Sequence, residues 1–396
     1  MKRIMIMVFV CCVLVCSGLF SGSALALEAG GVDIHGFVSQ GFIFSEDYEY
    51  LTNNSKKGSF EYNEIGINFS KDLSDRLRLG IQLFSRDLGD VGNNKITIDW
   101  AYGDYRVKDW LGIRAGRIKL PLGFYNETRD IDMLRTNVVM PQSVYGDLLR
   151  DTVIAANGVG IYGNINLYTM GSLDYQLVAG SMNIDNENGF EKYFTARSKG
   201  VFIINGRSDS DITYAGGLRW NTPLEGMTLG ASAISNTIDS PIKLGGVLEA
   251  KNSADNFIYT VGAEYIWEDL TIAAEYQQYK IDYTVTSAMG TSEGTGTSEG
   301  YYISTAYRFT DFFSLGAYYS IFYPDDKDKD GNTFVFASDA WEKDLALSLR
   351  FDINDFTTLK VEGHHVDGTA KVNAIDNPIR SDDKFLYGVA KVTFSF

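Results

Sequence analysis

Residues 344–353 read DLALSLRFDI, so Leu345, Leu347, Leu349 and Phe351 alternate with Asp344, Ser348, Arg350 and Asp352. Side chains of an extended chain point to opposite sides in turn, and this period of two describes a strand with one apolar and one polar face. The same pattern returns in segments of about ten residues. Leu77, Leu79, Ile81 and Leu83 alternate with Arg76, Arg78, Gly80 and Gln82. Phe257, Tyr259, Val261, Ala263, Tyr265 and Trp267 alternate with Thr260, Gly262 and Glu264. Apolar repeats at helical spacing do not persist, which argues against a soluble α/β enzyme.

The connections alternate in length. Short turns are predicted around Lys71-Asp72, Lys108-Asp109, Met170-Gly171, Pro223-Leu224, Glu268-Asp269, Thr310-Asp311 and Asn354-Asp355. Between successive turns there is room for two strands and a polar loop of about twenty residues, and seven short turns with eight long loops give about 16 strands. An even count of antiparallel strands with unequal loops fits a transmembrane barrel, because a bilayer cannot solvate a free sheet edge. At that size side chains no longer fill the interior, and a water-filled channel is expected. Trp220, Trp267, Phe309 and Phe351 lie on apolar faces close to turns, where aromatic rings favour the membrane interface. The bland alternative is the aromatic core of a soluble β-sandwich.

The chain opens with Met1, Lys2 and Arg3, an apolar run from Ile4 to about Phe20, and the small-residue site Ala24-Leu25-Ala26. This is the pattern of a signal peptide over residues 1–26, leaving 27–396 as the barrel domain. All three cysteines, Cys11, Cys12 and Cys16, fall in that leader, so the mature chain is expected to lack thiol chemistry. With 51 acidic against 35 basic residues, nucleic acid is an improbable partner. The three histidines do not group for a metal, and no histidine–serine pairing of an outer-membrane lipase is recognisable. An enzyme is therefore not expected.

The last strand carries Leu386, Gly388, Ala390, Val392, Phe394 and Phe396 on one face, and it is expected to pair with a first strand near His35 to Phe44. This ending resembles the terminal signal of Gram-negative outer-membrane proteins, which implies handling by the barrel-assembly machinery. The opening strand GFVSQGF over residues 36–42, and the stretch RAGRIKLPLGFYNETRDIDMLRTNVVMPQSVY from Arg114, resemble Gram-negative outer-membrane porins of the phosphate-selective type. The resemblance implies a third long loop folded into the lumen, and a homotrimer.

The residues of that stretch suit a constriction on their own chemistry. Pro121 and Gly123 would break a strand and turn the chain. Arg114, Arg117, Lys119, Arg129 and Arg135 meet Glu127, Asp130 and Asp132 in one short span, and opposed charges in a narrow pore order water and sort solutes. The alternative is an external loop with surface ion pairs, but Phe124, Tyr125, Leu134, Val138, Val139 and Met140 would pack poorly against water. Arg76, Arg78, Arg86, Arg219, Arg308, Arg350 and Lys360 are expected on the pore wall, with Glu64, Asp99, Asp104, Glu264, Glu275 and Glu362 among or near them. The wall is thus mixed in sign, unlike the concentrated basic ladder of phosphate-selective relatives.

Two loop motifs stand apart. Asp326, Asp328 and Asp330 precede Gly331 in a D-x-D-x-D-G run, a candidate calcium ligand set, although the twelfth position of an EF-hand loop would be Ala337 in place of glutamate. A solvated acidic loop is the simpler reading. The two GTSEG copies, 290–294 and 296–300, read as a flexible external tip.

These readings converge on an all-β transmembrane antiparallel barrel of the bacterial outer membrane. It is expected to sit in outer-membrane lipid and to pass small hydrophilic solutes or ions by passive diffusion. A second reading is a barrel whose extracellular loops act in adhesion or surface structure.

Overall fold

The computed structural model describes residues 27–28, 30–185, 189–380 and 382–396. The leader expected over residues 1–26 lies outside the described residues. Sixteen long strands build one sheet, numbered here in chain order: β1 (Asp33–Ser45), β2 (Asn63–Ser74), β3 (Leu77–Asp87), β4 (Thr97–Lys108), β5 (Leu111–Lys119), β6 (Ala155–Asn166), β7 (Ser172–Ser181) and β8 (Thr213–Asn221). There follow β9 (Met227–Leu244), β10 (Leu248–Trp267), β11 (Leu270–Ser287), β12 (Gly290–Arg308), β13 (Phe313–Tyr323), β14 (Glu342–Asn354), β15 (Thr357–Asp367) and β16 (Lys384–Ser395). Each pairs antiparallel with its chain neighbour. β16 pairs with β1, from Phe37 opposite Ser395 to Ser45 opposite Tyr387, so the sheet closes without a free edge.

The alternation that announces the strands also sets which way they face. Leu345 and Leu347 of β14 are 54% and 55% exposed, whereas Asp344 and Ser348 on either side of them are 2% and 0% exposed. Apolar side chains point outward and polar ones inward, the reverse of a water-soluble protein and the order a bilayer demands. Val261, Trp267, Phe309, Leu386, Phe394 and Phe396 are exposed in the same outward sense.

Two expectations about connections need correction. The first short turn is Asp75-Arg76 and not Lys71-Asp72: β2 continues to Ser74 through a register shift between Asp72 and Ser74, which keeps the polar pair inside the strand. More substantially, β9–β10 and β11–β12 are not joined by loops of about twenty residues. Only residues 245–247 and 288–289 intervene, because the strands run on for 18, 20, 18 and 19 residues. Both GTSEG copies are part of β12, paired position by position with β11 from Ser287 opposite Gly290 to Gln277 opposite Gly300. Thr, Ser and Tyr on the facing strand supply β-favouring partners, and a ladder satisfies backbone groups that a loose tip would leave to water.

The other connections at that end of the barrel are longer. Between β7 and β8 a helix, α1 (Gly189–Arg197), places Phe190 and Phe194 against Phe202, Ile204, Ile242 and Val285 on the prolonged part of the sheet. Its Lys192 pairs with Asp90 at 3.1 Å and Asp376 at 3.0 Å, tying three connections together. The connection between β5 and β6, residues 120–154, holds the candidate site.

Candidate functional site

β5 ends where Leu120-Pro121 leaves the ladder, and Gly123 bends the chain at φ +59°, a left-handed conformation that favours glycine. A Cβ there would also fall 2.5 Å from both Glu275 Oε1 and the Tyr145 hydroxyl. The wall beside it is cut away. A Cβ on Gly217 would come within 2.8 Å of Pro121, and one on Gly230 or on Gly262 within 2.8 Å of the Phe124 ring. Three strands, β8 to β10, thus contribute glycines to one seat for Pro121 and Phe124.

Polar groups fix the connection to the strands at several places. Phe124 N–H donates to Glu275 Oε1 of β11 at 2.8 Å, and the Glu275 carboxylate also accepts from the Tyr145 and Tyr302 hydroxyls, the latter at 2.7 Å. Gly123 N–H donates to Ser232 Oγ of β9 at 2.8 Å. At the other end of the segment, Val138 and Val139 N–H each donate to the Glu362 carboxylate of β15 at 2.8 Å. The His364 ring lies between Glu362, 2.9 Å from Nε2, and Asp344, 3.0 Å from Nδ1. Val138 and Val139 pack with Tyr62, Tyr387 and Val389, and Leu120 and Leu122 with Val178, Ala215 and Ile234. Of the apolar residues expected to avoid water, Phe124, Val138, Val139 and Met140 are buried, Tyr125 is partly so, and Leu134 is 66% exposed.

The charged residues expected to act together fall into two buried networks. In one, Lys119 pairs with Asp130 and, at 3.2 Å, with Asp99 of β4, while Arg150 reaches Asp99 at 2.5 Å and Asp130 at 2.7 Å. In the other, Asp132 pairs with Lys360 of β15 at 3.1 Å, Lys391 of β16 at 3.2 Å and Arg135 at 3.5 Å, and accepts from the Thr393 hydroxyl at 2.9 Å. Burial alone would push both carboxyls up. Arg150 and Lys119 around Asp130, and Lys360, Lys391 and Arg135 around Asp132, outweigh it and hold both well below the usual carboxylate range.

The remaining expected residues divide. Arg129 sits on Tyr145 O at 2.9 Å and Asp147 at 3.2 Å, and Arg117 Nε donates to Asp99 O at 3.2 Å. Arg114 pairs with Asp104 at 2.9 Å; Glu127 lies 3.9 Å from Arg219, which donates to Phe124 O at 2.8 Å. Arg86 pairs with Asp151 at 3.1 Å, and Arg350 donates to Met133 O at 2.6 Å. Arg76, Arg78 and Arg308 lie elsewhere, near the short turns. Arg78 bonds Ser70 at 2.7 Å and Arg308 pairs with Asp269 at 2.8 Å. Sequence reading missed Arg150 and Lys391. Lys391 was accessible to it, since it falls between the outward Ala390 and Val392.

In the connection after β13, Asp328 accepts from Asn332 N–H at 2.8 Å and from the Thr333 N–H and hydroxyl, both at 2.6 Å. Its carboxylate closes its own loop. Among the described residues, no group of three or more His, Cys, Asp or Glu is placed to hold a metal ion.

The whole fold has counterparts among solved structures. OmpT, an outer membrane protein of Vibrio cholerae, superposes with a TM-score of 0.55 at 12% identity, over 94% of this chain and 100% of that one. The outer membrane channel DcaP of Acinetobacter baumannii gives 0.55 at 11% identity over 94% and 100%. An anion-selective porin from Comamonas acidovorans gives 0.52 at 14% identity over 92% and 99%. No family model matches the sequence, and no curated protein matches it. The chain therefore has the closed sixteen-stranded barrel fold seen in bacterial outer-membrane channels.

Proposed function

We propose that the chain is a porin of the Gram-negative outer membrane, passing small hydrophilic solutes or ions by passive diffusion. In this reading the connection between β5 and β6 folds into the lumen and narrows it. One observation carries the proposal: Phe124 is hydrogen-bonded to β11 while Val138 and Val139 are hydrogen-bonded to β15, strands with three others between them. A segment held at both places lies across the barrel, and solutes have to pass beside it.

Arg114, Arg117, Lys119, Glu127, Arg129, Asp130, Asp132 and Arg135 would line the narrowing, with Arg86, Arg219, Arg350 and Lys360 behind them and Arg76, Arg78 and Arg308 toward the short-turn mouth. Most of these cations already face carboxylates, so the filter is mixed in sign and acts on size and dipole as much as on net charge. Outer-membrane lipid around the apolar belt, a homotrimer, and export by a leader over residues 1–26 followed by the barrel-assembly machinery complete the proposal. Liposome swelling tests the function. Vesicles carrying the protein should admit small sugars and exclude large oligosaccharides, and swelling no faster than in protein-free vesicles would overturn it.

A further inference from the structure

A cavity of about 380 Å³ lies between residues 121–127 of the connection and the inner faces of β4 to β11. That volume falls within the range of small-molecule sites. Most charges lining it are already occupied. Asp174 accepts from Asn164 Nδ2 at 2.6 Å and Asn221 Nδ2 at 2.8 Å. Glu275 is held by Phe124 and two tyrosines, and Arg114 by Asp104. Arg106 and Lys108, on either side of a register shift at the short-turn end of β4, both line the cavity and have no ion-pair partner among the described residues. Glu127, on the connection, has only Arg219 at 3.9 Å. Asp109, also unpaired, sits out in the β4–β5 turn. Ring surface is at hand on Phe124 and Tyr162.

We propose that this cavity is a binding subsite for small zwitterionic solutes of the amino-acid type. Arg106 and Lys108 would take the carboxylate, Glu127 the ammonium, and the rings the side chain. The proposal rests on the reading that solutes travel through this barrel, and it adds which class lingers there. Both charges of a zwitterion lose water on entering a narrow passage, and a cavity lined by two unpaired cations and by a carboxylate held only through Arg219 at 3.9 Å can replace both shells at once. A solute with a single charge can use only half of the site.

The probe is L-phenylalanine, with benzoate and phenethylammonium as its two single-charge halves. Calorimetry on the detergent-solubilised protein should show phenylalanine binding at least about tenfold tighter than either half. Glu127→Gln, and Arg106→Gln with Lys108→Gln, should each remove most of that advantage; melting curves of the variants check that the barrel is intact. Either half binding as tightly as phenylalanine, or folded variants binding phenylalanine like the parent, would overturn the subsite. A barrel that binds phenylalanine in this manner but passes no solute would sink the porin reading and leave the subsite standing.

Discussion

Phe124 N–H donates to the carboxylate of Glu275 at 2.8 Å, joining positions 151 residues apart. Glu275 takes two tyrosine hydroxyls as well, so one buried carboxylate collects three donors, two of them from the same connection. Replacing it with alanine leaves all three without their acceptor, at a cost of about 1–3 kcal/mol for each buried group that finds no other partner. Glu275→Ala should lower the melting temperature in detergent and raise the single-channel conductance with added noise. Glu275→Gln, which keeps one acceptor oxygen, should fall between. An Ala variant with the parent's conductance and stability would show that this contact does not position the connection.

The glycine seat gives a steric test. Valine at Gly230 places its Cβ 2.8 Å from the Phe124 ring, closer than real Cβ contacts come, and no other group lies nearer to it. Gly230→Val alone should destabilise and alter conductance, while adding Phe124→Ala should recover much of both. The recovery is read as the coupling in a double-mutant cycle, expected to exceed about 0.5 kcal/mol for residues in contact. Strictly additive effects would separate the two residues.

Asp132 is surrounded by Lys360, Lys391 and Arg135, all closely packed. Taking away Lys360 as methionine keeps the volume but breaks a buried pair, a change that costs about 3–5 kcal/mol in such settings. Thermal unfolding should register the loss. If Lys360→Met melts like the parent, the network does not stabilise the barrel.

The residues proposed to line the narrowing carry an electrical prediction. Alanine at Arg117, Lys119 and Arg129 together should move the reversal potential under a salt gradient toward cations, since three positive charges leave the proposed narrowing. An unchanged potential would place them away from the ion path.

The loop after β13 offers a pH prediction. Hydrogen bonds from the Thr333 hydroxyl and N–H, then from Asn332, pull the Asp328 carboxyl down to about 2. A depressed folded value means that the turn's contribution is fully present above the ordinary value of 3.8 and is lost as pH falls through about 2. Amide resonances of Asn332 and Thr333 should therefore titrate near pH 2. A midpoint near 4 would mean that the carboxylate is free of the loop.

Much of this architecture was legible because a strand's alternation is a direct image of its two environments. Leu345 and Asp344 show it, and so do the strand pair that closes the barrel and the short turns from residue 108 onward. The prolonged strands β9 to β12 were not legible. Serine, threonine and glycine are equally at home in a solvated loop and on a two-sided polar ladder, so composition could not say that GTSEG pairs with β11. The clustering of Lys119, Asp130, Asp132 and Arg135 in one span was visible. Their partners Lys391, Lys360 and Asp99 come from strands far away in sequence, and pairing across a barrel leaves no local signature.

The central claim is that a closed barrel with apolar side chains outside keeps an aqueous path inside, beside the connection. Single-channel recording of the purified protein in planar bilayers tests it most directly. Discrete, reproducible conductance steps, enlarged in Glu275→Ala, are the predicted result; membranes that stay insulating with correctly folded protein inserted would contradict the account.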